Sequence, residues 1–163
     1  MAATTETRTL TVTAQPMTAE AFAPYGRVVG DQREPLQMQE GQFTARLMTV
    51  QRVPETIRRI NMHTDHNQLF VPLNGDRLVV IVAPPDVPAD RFDATTIAAF
   101  VTDGKQTFLF HPGTWHIEPR ALDRDSCQVI NVQTDVYRDH TTLIHLDEQA
   151  GVRVQLEIPA SAR

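Results

Sequence analysis

The chain has a single cysteine, Cys127, in 163 residues, which excludes an internal disulfide and any cysteine-rich zinc site. No apolar run approaches the ~20 residues that a membrane-spanning helix needs. Positive charge is in deficit: Lys and Arg total 15 against 20 Asp and Glu, for a net charge of −5. The two signs are interspersed, so there is no basic stripe to hold nucleic acid. The opening residues, MAATTETRTL, lack the apolar core of a secretory signal. Their Thr- and Ala-rich composition predicts a flexible N-terminus over residues 1–9. A cytoplasmic protein is the expectation that remains. An apolar fraction of 41% over this length predicts one domain, residues 10–163, with a proper core.

Met17-Thr-Ala-Glu-Ala-Phe22 predicts one short helix, with Thr18 as N-cap and Met17 and Phe22 placed for a hydrophobic staple. Pro24 and Gly26 end it. Gly30 to Gln42 is polar and reads as a loop or hairpin. Strands are expected at Phe43–Val50, near Ile57–Met62, at Leu69–Leu73, Leu78–Ala83, Ile97–Val101, Thr107–Phe110, Gln128–Thr134, Thr141–Leu146 and Val152–Ile158. Asn74-Gly75 between two apolar runs predicts a β-hairpin, because both residues accept positive φ. Leu78–Val82 is β-branched and unbroken, as in a strand buried on both faces. Pro84, Pro85 and Pro88 mark a loop, and Asp103-Gly104 a turn. In Gln128–Thr134, Asn131 and Gln133 alternate with apolar residues, so one face of that strand is polar. Short strands, regular turns and little helix indicate an all-β barrel or sandwich.

Chemistry-bearing groups fall in two clusters, His63–Gly75 and His111–His116, on strands that otherwise read as core. A small barrel points alternate side chains inward, so such groups line a pocket. His63 and Gln68 meet if a bend separates them, and His116 leaves a Gly-Thr-Trp turn at the rim. Imidazoles and a glutamine carbonyl can ligate a first-row divalent metal. His63, Gln68 and His116 are therefore assigned to the inner pocket and to any metal. His111 and His66 are proton-transfer or additional ligand candidates, and Trp115 would wall the site. His140 and His145 have no partner pattern and read as surface or structural residues. Cys127 reads as a packed small side chain, since no activating His or Lys adjoins it.

The spacings resemble the two cupin motifs in degenerate form. Asn61-x-His63-x4-Gln68-x6-Gly75 has Asn for the first His and Gln for the Glu. His111-x-Gly113-x2-His116 has His for Pro, with Arg120 where an Asn would fall. A further set of blocks resembles the ureidoglycolate lyase family (ureidoglycolate hydrolase), which is cupin-like. The blocks are Met17–Gly26; His63, Gln68, Phe70, Pro72 and Gly75; Ala99–Gln106; and His111–His116. They keep their order over most of the chain, and the resemblance fades after Cys127. Two departures fall at the site: Asn61-Met62-His63-Thr64-Asp65-His66 where the family reads Glu-Arg-His-Pro-Leu-Gly, and Ile117-Glu118 in place of His-Pro.

The resemblance implies an all-β, cupin-type double-stranded β-helix (jelly-roll) barrel with one short N-terminal helix. It implies a lyase of purine catabolism and allantoin degradation that releases urea and glyoxylate from ureidoglycolate or a related small hydroxy-acid adduct. A histidine suits either proton role near neutral pH. The implied catalytic set is His63, Gln68, His111 and His116, with Arg52, Asn61, His66 and Trp115 for substrate. A divalent metal (zinc, manganese, nickel or iron) on His63, Gln68 and His116 is admitted but not required; without one, Arg52 would take the substrate carboxylate. The partners expected are a small anion and a second copy in a homodimer, with neither nucleic acid nor membrane. A metal-dependent cupin oxygenase or isomerase and a non-catalytic small-acid-binding cupin stand as alternatives, because function lives in the site and not the fold.

Overall fold

The computed structural model describes residues 7–163. The expected flexible stretch therefore lies mostly outside the described residues, while Arg8 and Thr9 already belong to the first strand. The elements in order are β1 (Arg8–Pro16), α1 (Ala19–Phe22), β2 (Gly26–Val28), β3 (Phe43–Gln51), β4 (Thr56–Ile57), β5 (Arg59–His63), β6 (Gln68–Pro72) and β7 (Leu78–Ala83). After these come β8 (Ala98–Val101), β9 (Phe108–Phe110), β10 (Trp115–His116), β11 (Arg120–Ala121), β12 (Ser126–Thr134), β13 (Thr141–His145), α2 (Leu146–Gln149) and β14 (Val152–Glu157). The predominantly β architecture agrees with a cupin-type barrel.

The strands form two curled sheets. One has nine strands in the order β13-β5-β10-β7-β8-β1-β14-β4, with β11 also on β7; the other has five, in the order β2-β9-β6-β12-β3. Between the sheets lies a core of Leu78, Val80, Val82, Phe100, Phe108 and their neighbours. Behind the large sheet lies a second core holding Val79, Ile81, Ala83, Ile60 and Trp115. Strand β7 separates the two, and its six side chains are all buried. The unbroken apolar run thus has its physical cause: alternate residues feed opposite cores. Each fully buried aliphatic side chain contributes about 1.5–3 kcal/mol.

The N-terminal helix is present as expected. Thr18 Oγ1 accepts from Ala21 N at 3.1 Å, and Met17 and Phe22 are buried together in the inter-sheet core. A second four-residue helix, α2, begins at Leu146, which the sequence reads as the last residue of a strand; Leu146 anchors the helix in the rear core.

Two expectations are corrected. The Asn74-Gly75 turn has the predicted positive φ values, 60° and 74°, yet β6 and β7 do not form a hairpin. Strand β6 pairs β9 and β12, whereas β7 pairs β8, β10 and β11. The turn carries the chain from one sheet to the other, because β6 is the central strand of the smaller sheet, between β9 and β12, while β7 is taken up by strands of the larger one. Gly104 packs onto the same turn, where a Cβ would lie 2.3 Å from the Gly75 carbonyl oxygen. Second, Arg8–Pro16 is a strand, parallel to both β14 and β8. Its alternation of Thr with Leu10, Val12 and Ala14 buries Val12 and Ala14 in the rear core, which its Thr-rich composition obscured.

Candidate active site

The space between the sheets is apolar at one end and opens into a polar cleft of about 830 Å³ at the other. Parity along the strands decides what enters it. On β5, Asn61 and His63 face the cleft, and Ile60 and Met62 face the rear core. On β12, Asn131 and Gln133 line the cleft, so the polar face legible in that strand is the face of the site. Opposite Asn131 on the two neighbouring strands stand Arg46 and Phe70.

His63 and His116 come together, ring centroids 5.1 Å apart, although 53 positions separate them in sequence. His116 pairs across the ladder with Asn61, and Asn61 Nδ2 approaches His116 Nε2 at 3.4 Å. Phe110 stacks on the His116 ring at 4.5 Å, and Gln68 Nε2 donates to Asn131 Oδ1 at 3.2 Å. His63, Gln68, His116 and Asn61 all line one cleft.

The tautomers follow from the partners. The Thr141 hydroxyl donates to the Tyr137 carbonyl at 2.7 Å, so toward His63 it accepts, and His63 Nδ1–H donates to it at 2.8 Å. His116 Nδ1 lies 2.8 Å from the Thr114 carbonyl, which can only accept. Both rings therefore keep their proton on Nδ1 and present an unprotonated Nε2. Burial, followed by the neighbouring His116 and His66 rings, lowers the His63 pKa from 6.5 to about 2. Burial lowers His116 to about 4, opposed by the Thr114 carbonyl and reinforced by His66. Both imidazoles are neutral near pH 7 and suited to receiving a proton.

His66 is buried behind His63, the rings stacked at 5.3 Å, and it does not line the cleft. Its Nδ1 lies 2.6 Å from Asp65 Oδ1 and 3.2 Å from Thr134 Oγ1. Three further expected residues are not brought into the cleft. His111 has the opposite parity to Phe110 and places its Nε2 3.2 Å from the Ala23 carbonyl. Trp115, beside the inward-facing His116, turns into the rear core; its indole N–H donates to the Val87 carbonyl at 2.9 Å. Arg52 is half exposed, pairs with Asp125 at 3.1 Å, and lines a separate depression with Arg163.

Sequence reading missed the arginines of this cleft: Arg46, Arg58, Arg59, Arg120 and Arg138. Arg120 carried a signal, since it occupies the last position of the second cupin-like motif. Thr141, which fixes the His63 tautomer, carried none, because a threonine in a β-strand is unremarkable. Cys127 is buried as expected, its thiol pushed up in pKa by burial and by Asp76.

For a divalent metal, the donor types of His63, Gln68 and His116 fit, and all three line the cleft. Gln68 Oε1 and His66 Nε2 are buried without a hydrogen-bond partner among the described residues, and His116 offers Nε2. Yet no group of three or more His, Cys, Asp or Glu side chains among the described residues is arranged to hold an ion. His66 lies stacked behind His63, 22° between planes, so the cleft itself offers two imidazoles and the Gln68 amide oxygen. No helix among the described residues is long and apolar enough to cross a membrane.

The profile of the ureidoglycolate lyase family matches residues 48–152, beyond the point at which the motif resemblance fades. The chain is 34% identical to the ureidoglycolate lyase of Pseudomonas fluorescens (strain Pf0-1) over 131 residues, 67% of this chain and 75% of that protein. It is 30% identical to the ureidoglycolate lyase of Escherichia coli (strain K12) over 121 residues, 62% of this chain and 74% of the relative. A shared profile over most of the β-sheet framework, including every strand that bears His63, Gln68 and His116, places this chain in the ureidoglycolate lyase family.

Proposed function

We propose that the chain is a carbon–nitrogen lyase that splits ureidoglycolate, or a closely related carbinolamine acid, into glyoxylate and urea. The observation that carries this reading is a set of complementary unsatisfied groups in one cleft. Gln68 Oε1 is a buried acceptor and Arg120 Nε a buried donor, each without a partner among the described residues. A ureido N–H satisfies the first and a carboxylate the second, and leaving either group unpaired costs about 1–3 kcal/mol.

The same cleft holds the unprotonated Nε2 atoms of His116 and His63, on rings 5.1 Å apart. In the reaction, one imidazole Nε2 takes the proton of the substrate hydroxyl. The C–O bond becomes a carbonyl, the C–N bond breaks, and its electron pair goes to the departing nitrogen. That nitrogen receives the proton from the same imidazole, so glyoxylate and urea leave with the base regenerated. Burial disfavours the imidazolium, which keeps the proton in transit rather than stored. Asn61 steadies His116, and Thr141 holds His63 in the competent tautomer. No step passes through a metal.

In this reading Arg120 takes the carboxylate role that the resemblance gave to Arg52, while His66 and Trp115 support the site from behind. The protein is placed in the cytoplasm as a single domain, and as a homodimer. The nine-residue β3 supports the dimer, because it forms one edge of its sheet and exposes Leu47.

The test is release of urea and glyoxylate from ureidoglycolate by the purified protein, with metal analysis of the same sample. Turnover that survives chelation supports the reading. Absence of both products at high enzyme concentration would remove it.

A further inference from the structure

Ureidoglycolate carries one carboxylate, yet five arginines and a single glutamate line the cleft, in a chain whose net charge is −5. The glutamate, Glu118, lies 3.5 Å from Arg120. Arg46, Arg58, Arg59 and Arg138 form no ion pair among the described residues, a state they share with arginines elsewhere such as Arg33 and Arg153, but only these four are gathered at one opening. Unpaired like charges gathered at one opening repel one another and raise the local concentration of anions.

Their positions define a direction. Arg59 shares the cleft-facing side of β5 with Asn61 and His63; at ~3.3 Å per residue it lies about 7 Å from the first and 13 Å from the second along the strand. Arg46 enters from the opposite sheet, paired across the ladder with Asn131, the partner of Gln68. Arg59 thus lies toward one end of the cleft along β5, while Arg46 stands on the facing sheet beside the Gln68–Asn131 pair. A volume of about 830 Å³ falls in the ~300–1,000 Å³ range of sites that enclose much larger ligands than a monocarboxylate of this size.

We infer that the cleft recognises a dianionic acid. One carboxylate meets Arg120, and a second anionic group is held by Arg59 and Arg46. This rests on the lyase reading for the first carboxylate and names the substrate class as a ureido or carbinolamine acid with a second acidic group.

The experiment titrates the full chain calorimetrically with glutarate and with pentanoate, which have the same carbon count but two and one carboxylates. Glutarate is expected to bind at least about tenfold tighter at low ionic strength, equivalent to ~1.4 kcal/mol. In the Arg46→Gln/Arg59→Gln double variant, with unfolding temperature as the control for folding, that advantage shrinks to about twofold. Equal binding of the two acids, or an advantage undiminished in the variant, overturns the proposal. Urea release from ureidoglycolate, measured in parallel, separates the two readings. Turnover without a glutarate preference removes the second anionic subsite and leaves the lyase; a glutarate preference lost in the variant, without turnover, does the reverse.

Discussion

Two segments of this chain have the same form and different outcomes. His63 and Gln68 are five residues apart, as are His111 and His116, and each segment carries the chain from one sheet to the other. In the first, both end residues face the cleft. In the second only His116 does, because Phe110 occupies the inward position and stacks on the His116 ring at 4.5 Å; His111, next along the chain, is turned toward the Ala23 carbonyl. Spacing brings groups to the same rim, but strand parity selects which of them enters. A one-residue change of phase exchanges the inside for the outside.

The largest expected effects test the inward members. His116→Ala and His63→Ala should each lower kcat/KM for urea release by about 10²–10⁴-fold, the usual contribution of a general base, with the β-sheet circular dichroism intact. His111→Ala, in contrast, should change kcat/KM by less than about threefold while costing ~1 kcal/mol of stability for the lost bond to Ala23. Equal losses at His111 and His116 would erase the distinction between the segments.

Next in size is Trp115→Phe, a substitution on the outer side of the same short strand. It deletes the indole donor to Val87 and leaves a gap in the rear core. Denaturant unfolding should show a loss of about 2 kcal/mol, with KM little altered. A large rise in KM would return Trp115 to the wall of the site.

The pH dependence sharpens the comparison further. Both inward histidines have folded-state pKa values below 6.5, about 4 for His116 and about 2 for His63. Below pH 6.5 the unfolded chain binds protons that the fold refuses, so their stabilising contribution is complete above pH 6.5. It declines as pH falls toward 4 and then toward 2. Chemical denaturation midpoints measured from pH 8 to 4 should fall on the acid side, with a shallower fall in His116→Phe. The profile of kcat/KM should stay flat from pH 8 down to about 5, where an unshifted imidazole would already be titrating near 6.5. The smallest effect is expected from Thr141→Val, which removes the acceptor from His63 Nδ1. A decrease of about five- to tenfold in kcat corresponds to one hydrogen bond, and rescue by Thr141→Ser would identify the hydroxyl as the cause.

Much of the framework was legible in the residues. The apolar run of β7, the Thr18 cap, the polar face of β12 and the two histidine segments each follow from local pattern, and local pattern is set by side-chain period. The missing parts depend on partners remote in sequence. The Asn74-Gly75 turn has the dihedral angles its residues favour, but whether its flanking strands pair is decided by what lies on either side of β7. Strand β1 looks like a fraying end until β14 and β8 flank it. The arginines of the cleft look like surface charges, and on four of five they are exposed; only the convergence of two sheets makes them one field.

The chain alone determined that short alternating strands would enclose a polar lining, and that His63, Gln68 and His116 would contribute to it, because hydrophobic period and turn chemistry act between neighbours in sequence. The tertiary structure decided that Asn61 and Thr141 would serve those histidines, that His111, Trp115 and Arg52 would face elsewhere, and that the rings would be neutral. Those outcomes depend on burial and on contacts between remote strands, and the energies of both exist only once the sheets have closed on each other.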